Sequence, residues 1–148
     1  MKSKAPLALM EQMVMLLVFA LAAALCLQSF AKSDELSKRG EKRDRAAVLC
    51  QSAAEIIRHA GGDFPRAAAI LGATNGDEDS LAIFYGEDWE PSDSISESVY
   101  DFGYTLGACR VESDVPGLGK AEIWMLDDET DEELVRFQVA WQEVSAGE

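Results

Sequence analysis

Residues 7–30 read LALMEQMVMLLVFALAAALCLQSF, and Glu11 is the only charged side chain among these 24 positions. At about 1.5 Å per residue a helix of this length reaches roughly 36 Å, enough to cross the hydrocarbon core of a bilayer. Leu, Met, Ala, Val and Phe fill the run without Gly or Pro, so helix propensity and solubility in lipid agree. The stretch predicts a transmembrane helix over 7–30, preceded by a short basic leader, residues 1–6, that carries Lys2 and Lys4. A cleaved signal peptide is the competing reading, because Ser29-Phe30-Ala31 has the small-x-small form of a cleavage site and would leave Lys32 as the mature start. Glu11 and the length of the run weigh against it. A lipoprotein signal fails at Leu25, which stands before Cys26 where a small residue is needed.

Beyond the span the chain changes character twice. Across 32–45 charges alternate, with Asp34/Lys38, Glu35/Arg39 and Glu41/Arg45 at the i,i+4 spacing that supports a solvated helix face. Then Ala46, Leu49, Cys50, Ala53, Ile56, Ile57 and Ala60 recur at intervals of three and four, forming one apolar stripe that needs a surface to pack on. Gly61-Gly62 supplies the stop, since glycine takes the left-handed conformation that closes a helix. Residues 31–62 therefore predict an amphipathic helix continuing from the span, about 80 Å in all if unbroken. The alternative is a break between residues 31 and 34, with Ser33 or Asp34 as a new N-cap.

Residues 63–148 predict a separate acidic domain. Asp63-Phe64-Pro65 opens a short helix to Leu71, with Pro in its first turn and Asp63 as the cap. A polar loop over 72–80 leads to four stretches of strand character, 81–85, 99–112, 120–126 and 134–144. Tyr100, Phe102, Tyr104, Leu106 and Ala108 alternate in the second. In the last, Val135, Phe137, Val139 and Trp141 face away from Leu134, Arg136, Gln138, Ala140 and Gln142. Short connections at 113–119 and 127–133 favour antiparallel neighbours. The fold class expected is α+β, a long N-terminal helix whose amphipathic half covers one face of a four-stranded antiparallel meander.

Charge narrows the functions. Residues 1–45 carry a formal +3 and residues 46–148 a formal −17, giving −14 overall. So acidic a body is repelled by phosphate backbones, which argues against a nucleic-acid partner. No Walker loop, GxSxG elbow, HExxH or Rossmann glycine pattern occurs, and His59 is the only histidine. No catalytic residue, metal ligand set or cofactor is therefore expected. Asp77-Glu78-Asp79 and the acidic run from Asp127 to Glu133 offer oxygens of the kind Ca²⁺ takes, but without the EF-hand spacing; solvated loops are the favoured reading. Trp89, Trp124 and Trp141 are read as packing residues. Cys26, Cys50 and Cys109 form no CxxC pair, and burial of Cys50 and Cys109 as small apolar residues is favoured over a disulfide.

The layout resembles the type IV pilin-like proteins, including type II secretion pseudopilins and minor pilins of bacteria. The resemblance rests on Leu7-Ala8-Leu9-Met10-Glu11-Gln12-Met13-Val14, an apolar quartet, a glutamate and a further apolar run behind a short basic leader. It implies an assembly role for Glu11, whose carboxylate meets the N-terminal amine of a neighbouring subunit. It also implies a processing boundary between Pro6 and Leu7, where Pro6 stands in place of the family's glycine. The expectation is then an unprocessed accessory protein of a pilus or secretion apparatus, with other pilin-like subunits, secretion-apparatus proteins and membrane lipid as partners of the N-terminal helix. The resemblance further implies a cytoplasmic N-terminus and an exported acidic domain, whereas six Lys/Arg within 32–45, counted alone, favour the reverse. A bitopic protein whose acidic domain binds a cation or a protein partner is the alternative function.

Overall fold

The computed structural model describes residues 5–73, 75–92 and 103–143. The first element, α1, is one α-helix from Ala5 to His59. The chain divides into two compact units, Met1–Glu41 and Lys42–Glu148.

In the first unit α1 has no protein core around it, and every described side chain from Ala8 to Glu41 is exposed. No break occurs between residues 31 and 34. Asp34, one of the two candidate caps, instead pairs with Lys38 one turn on, at 2.8 Å. Glu35 bonds Lys32 at 3.0 Å, and this hydrogen bond and charge hold its carboxyl below the ordinary value. Gly40 lies in open space within the helix, a position that costs about 1 kcal/mol relative to Ala and does not stop a run of strong helix formers.

The second unit is the α+β domain. α1 enters it at Lys42 and buries Ala46, Cys50, Ala53, Ala54 and Ile57, close to the stripe read from the sequence. Gly61 and Gly62 follow at φ 66° and 80°, and the Gly62 amide returns to the Ile57 carbonyl at 3.0 Å, closing the helix with the left-handed turn that glycine permits. Helix α2, Phe64–Leu71, starts on Asp63, whose carboxylate accepts from the Arg66 amide at 3.0 Å, and ends on Gly72. The sheet follows in the order β1 (Asn75–Gly76), β2 (Ser80–Tyr85), β3 (Tyr104–Val111), β4 (Leu118–Asp127) and β5 (Glu132–Gln142), each strand antiparallel to the next.

The expected meander is present, with differences of detail. The polar loop contains β1, a two-residue rung against Leu81 and Ala82. Residues 99–102 and 144, expected as strand, lie outside the described residues. Trp124 sits on the sheet face opposite the core rather than within it, directly across from Gly107 and against the space a side chain there would need. Leu134 is the other exception to the alternation. Met125 pairs with Val135 but Leu126 with Glu133, so Leu134 is an extra residue bulged out of the ladder. The bulge brings it into the core beside Val135, against the period-two reading.

One face of the sheet supplies Leu81, Ile83 and Tyr85, Tyr104, Leu106 and Ala108, and Ala121, Ile123 and Met125 to the core. The second half of α1 and α2 supply the other layer. Trp141 closes one end, where its ring lies against Gly62 and Gly119 at positions that leave no room for a Cβ. Arg110 ties this end together: Nη2 donates to the Gly62 carbonyl at 2.8 Å, Nε approaches Asp79 at 2.9 Å, and the guanidinium lies over Phe64 and Trp141.

Candidate assembly site

In water, an apolar helix without a core is expensive. Leu9, Met10, Met13, Leu16, Leu17, Phe19, Leu27 and Phe30 are exposed to at least 61%, with Phe30 at 75%. Burying each such side chain recovers roughly 1.5–3 kcal/mol, so this surface calls for lipid or other helices. A single long apolar N-terminal helix is thus a candidate membrane span.

Glu11 lies near the start of this exposed surface. Among the described residues it has no hydrogen-bond or ion-pair partner. A carboxylate in an apolar helix is best relieved by a cation, a hydrogen-bond donor or water from outside the helix. Pro6 and Leu7 fall in the first turn of α1, where Pro is tolerated because its missing N–H has no helical partner to lose. Lys2 and Lys4 lie outside the described residues.

Where α1 joins the domain, a second acidic group is handled in the opposite way. Asp127 ends β4 on the core face, following Ala121, Ile123 and Met125. Its Oδ2 accepts from Lys42 Nζ at 2.8 Å, and Oδ1 accepts from the amides of Glu129 and Thr130 at 3.2 and 3.3 Å. Burial pushes this carboxyl up, but the Lys42 hydrogen bond and charge together with the two amides outweigh it and hold the pKa below its ordinary value. Lys42 is correspondingly raised, chiefly by its hydrogen bond to Asp127. The ammonium also lies 5.5 Å from the Tyr104 ring, which stacks on Trp89 at 3.8 Å. Arg43 Nε donates to the Leu134 carbonyl at 3.2 Å, so two consecutive residues of α1 bind the sheet. Sequence reading placed Asp127 in an acidic loop and did not single out Lys42; the signal available was Asp127 in phase with the core-facing residues of its strand.

Several carboxylates of the remaining acidic clusters are engaged in turns and ion pairs. Asp77 Oδ1 accepts from the Asp79 and Ser80 amides at 3.0 and 2.7 Å, which lowers its pKa. Asp128 accepts from Thr105 at 2.7 Å, and Glu133 pairs with Arg136 at 2.6 Å. Among the described residues no group of three His, Cys, Asp or Glu is placed to hold a metal ion. Cys26, Cys50 and Cys109 are free thiols, and burial pushes Cys50 up to about 12. His59 is exposed at the end of α1.

Comparison with protein-family models, with curated proteins and with solved structures finds no match.

Proposed function

We propose that the chain is a pilin-like or pseudopilin-like structural or accessory component of a type IV pilus or type II secretion-type apparatus. In this reading residues 7–30 span the cell membrane with the N-terminus cytoplasmic, and the acidic domain lies outside. Partners are other pilin-like subunits or secretion-apparatus proteins, met by the apolar half of α1 and by surfaces of the domain, with lipid around the span. No catalytic group or cofactor is required.

The observation that supports this is the division of labour within α1. Residues 8–30 leave an apolar surface exposed, with Glu11 near its start, while residues 46–57 contribute to the domain core. A membrane tether alone needs only the first half.

Co-purification from detergent-extracted membranes tests the reading. Wild-type chain is expected to bring down other pilin-like subunits, and Glu11→Ala to reduce their recovery at least tenfold while the domain stays folded. Recovery of no such subunit, or equal recovery with and without the carboxylate, overturns it.

A further inference from the structure

Where the apolar run of α1 ends, an open notch on the helix is lined by Leu25, Gln28, Ser29, Lys32, Ser33 and Leu36. With residues 7–30 in the hydrocarbon, Leu25 lies among acyl chains and Gln28 and Ser29 at their outer end. At about 1.5 Å per residue, Lys32 and Ser33 stand roughly 3–4.5 Å beyond Phe30, and Glu35 roughly 7.5 Å. The headgroup layer on each side of a bilayer is roughly 5–7.5 Å deep. Lys32 is therefore low in that layer and Glu35 at its outer limit. The polar groups of the notch are only partly used. Lys32 gives one of its three ammonium hydrogens to Glu35 at 3.0 Å, and both side chains stay open to solvent. The Ser29 hydroxyl donates back to the Leu25 carbonyl at 2.9 Å. Gln28 and Ser33 have no hydrogen-bond partner among the described residues.

Charge selects the occupant. Residues 32–41 carry three cations, Lys32, Lys38 and Arg39, and three acids, Asp34, Glu35 and Glu41. Without net charge, the segment gains little from a uniformly anionic surface. It offers an order instead, with the Lys32 cation next to the hydrocarbon and the Glu35 acid further out. A zwitterionic phospholipid carries the complementary order, its phosphate next to the glycerol and its ammonium beyond. We propose that the notch holds the headgroup of such a lipid, of the phosphatidylethanolamine type. Its phosphate oxygens accept from Lys32, Gln28 and Ser33, the first as a charge-assisted hydrogen bond. Its ammonium donates to the Glu35 carboxylate, and an acyl chain lies along Leu25. A headgroup with phosphate but no amine satisfies Lys32 and leaves its own charge beside Glu35. Arg39 also acts on Glu35, but at roughly 13.5 Å beyond Phe30 it stands clear of the headgroups. The site depends on residues 7–30 spanning the membrane, not on the role proposed for Glu11, and is the same in either orientation of the span.

Full-length chain reconstituted in vesicles of equal parts phosphatidylethanolamine and phosphatidylglycerol provides the test. The vesicles are floated, the chain is released in mild detergent, and the lipids still bound are counted by native mass spectrometry. Phosphatidylethanolamine is expected to be retained about threefold or more over phosphatidylglycerol, because only the former matches both charges. The double variant Lys32→Glu with Glu35→Lys keeps the net charge, the ion pair and the apolar run but reverses the order of charge. Its preference is expected to fall to parity or below, with the circular dichroism unchanged. A wild-type chain that does not float with the vesicles overturns the span over 7–30 and the headgroup site together. A chain that floats but retains the two lipids equally, or keeps its preference after the charge exchange, overturns the headgroup site and leaves the span standing. No other subunit takes part in these readouts, so they are independent of the pilin-like role.

Discussion

Residues 8–41 and 42–59 of α1 share one secondary structure but differ in what surrounds them. In the first stretch large side chains such as Leu17 and Phe19 are exposed, and the only acid in the apolar run, Glu11, has no partner among the described residues. In the second, small residues such as Ala46, Cys50 and Ala53 are completely buried, and the acid that faces the helix, Asp127, is held at both oxygens. Residue size explains much of the difference. The fully buried residues of the packed half are mostly small, with Ile57 the exception, whereas those of the strands include Ile83, Leu106, Ile123 and Met125. Leucine, methionine and phenylalanine on the first half extend the surface that lipid or neighbouring helices can cover.

The largest break in this comparison comes from equal truncations on the two sides. Ile57→Ala removes a fully buried side chain and is expected to destabilise the domain by about 2–5 kcal/mol. Leu17→Ala in the exposed half should leave the denaturant midpoint of the same domain within about 0.5 kcal/mol. Chemical denaturation followed by tryptophan fluorescence in detergent reads both. Equal loss from the two variants would mean that the domain depends on the apolar half for its own stability.

Gly62→Ala acts where the packed half stops. The position has φ 80°, and an added Cβ runs into the Trp141 ring. Backbone strain and overpacking together predict a loss of about 2–3 kcal/mol in the same assay. Gly40→Ala, in open space on the exposed side, should instead be neutral or stabilise α1 by up to about 1 kcal/mol.

Most of this architecture was legible because it rests on local patterns. The apolar run over 7–30, the stripe ending at Ala60, the Gly61-Gly62 stop and the Asp63 cap each arise from neighbours in sequence. Strand alternation located β2, β3 and β4 to within a few residues over the described part. What was not legible depends on long-range partners. The Leu134 bulge exists because β5 must keep register with β4 on both sides of Met125, which no pattern within β5 reveals. Trp124 packs, but on the face away from the core, and its place follows from Gly107 opposite it and Arg136 beside it, with the guanidinium 5.5 Å from the ring. The Lys42–Asp127 pair joins residues 85 positions apart. At the candidate site the reverse holds: Glu11 is visible in the sequence because it is the only charged residue of the run over 7–30, and among the described residues it has no partner.

Two lysine–aspartate pairs of equal length, one in each half, give the finest comparison. Lys42–Asp127 and Lys38–Asp34 both measure 2.8 Å, but the side-chain exposures are 38% and 4% for the first and 74% and 67% for the second. Lys42→Ala leaves a carboxylate buried without its cation, and a loss of about 1–2 kcal/mol is expected, below the cost of breaking a fully buried pair because Lys42 is itself partly solvated. The pH dependence has a definite sign. Asp127, with a pKa below its ordinary value, contributes stability that is present above the unfolded carboxyl value and lost as pH falls through the folded one. Lys42, raised, contributes stability that is present below the unfolded lysine value and lost as pH rises through the folded one. Lys42→Ala should therefore move acid unfolding to higher pH, because burial then acts on Asp127 without the opposing ammonium, and should remove its share of the alkaline loss. Lys38→Ala breaks a pair of the same length between two solvated groups and should move neither limb of the pH–stability curve. If it moves the acid limb as far as Lys42→Ala does, net charge on α1 and not desolvation at Asp127 sets the effect, and the distinction between the two pairs fails.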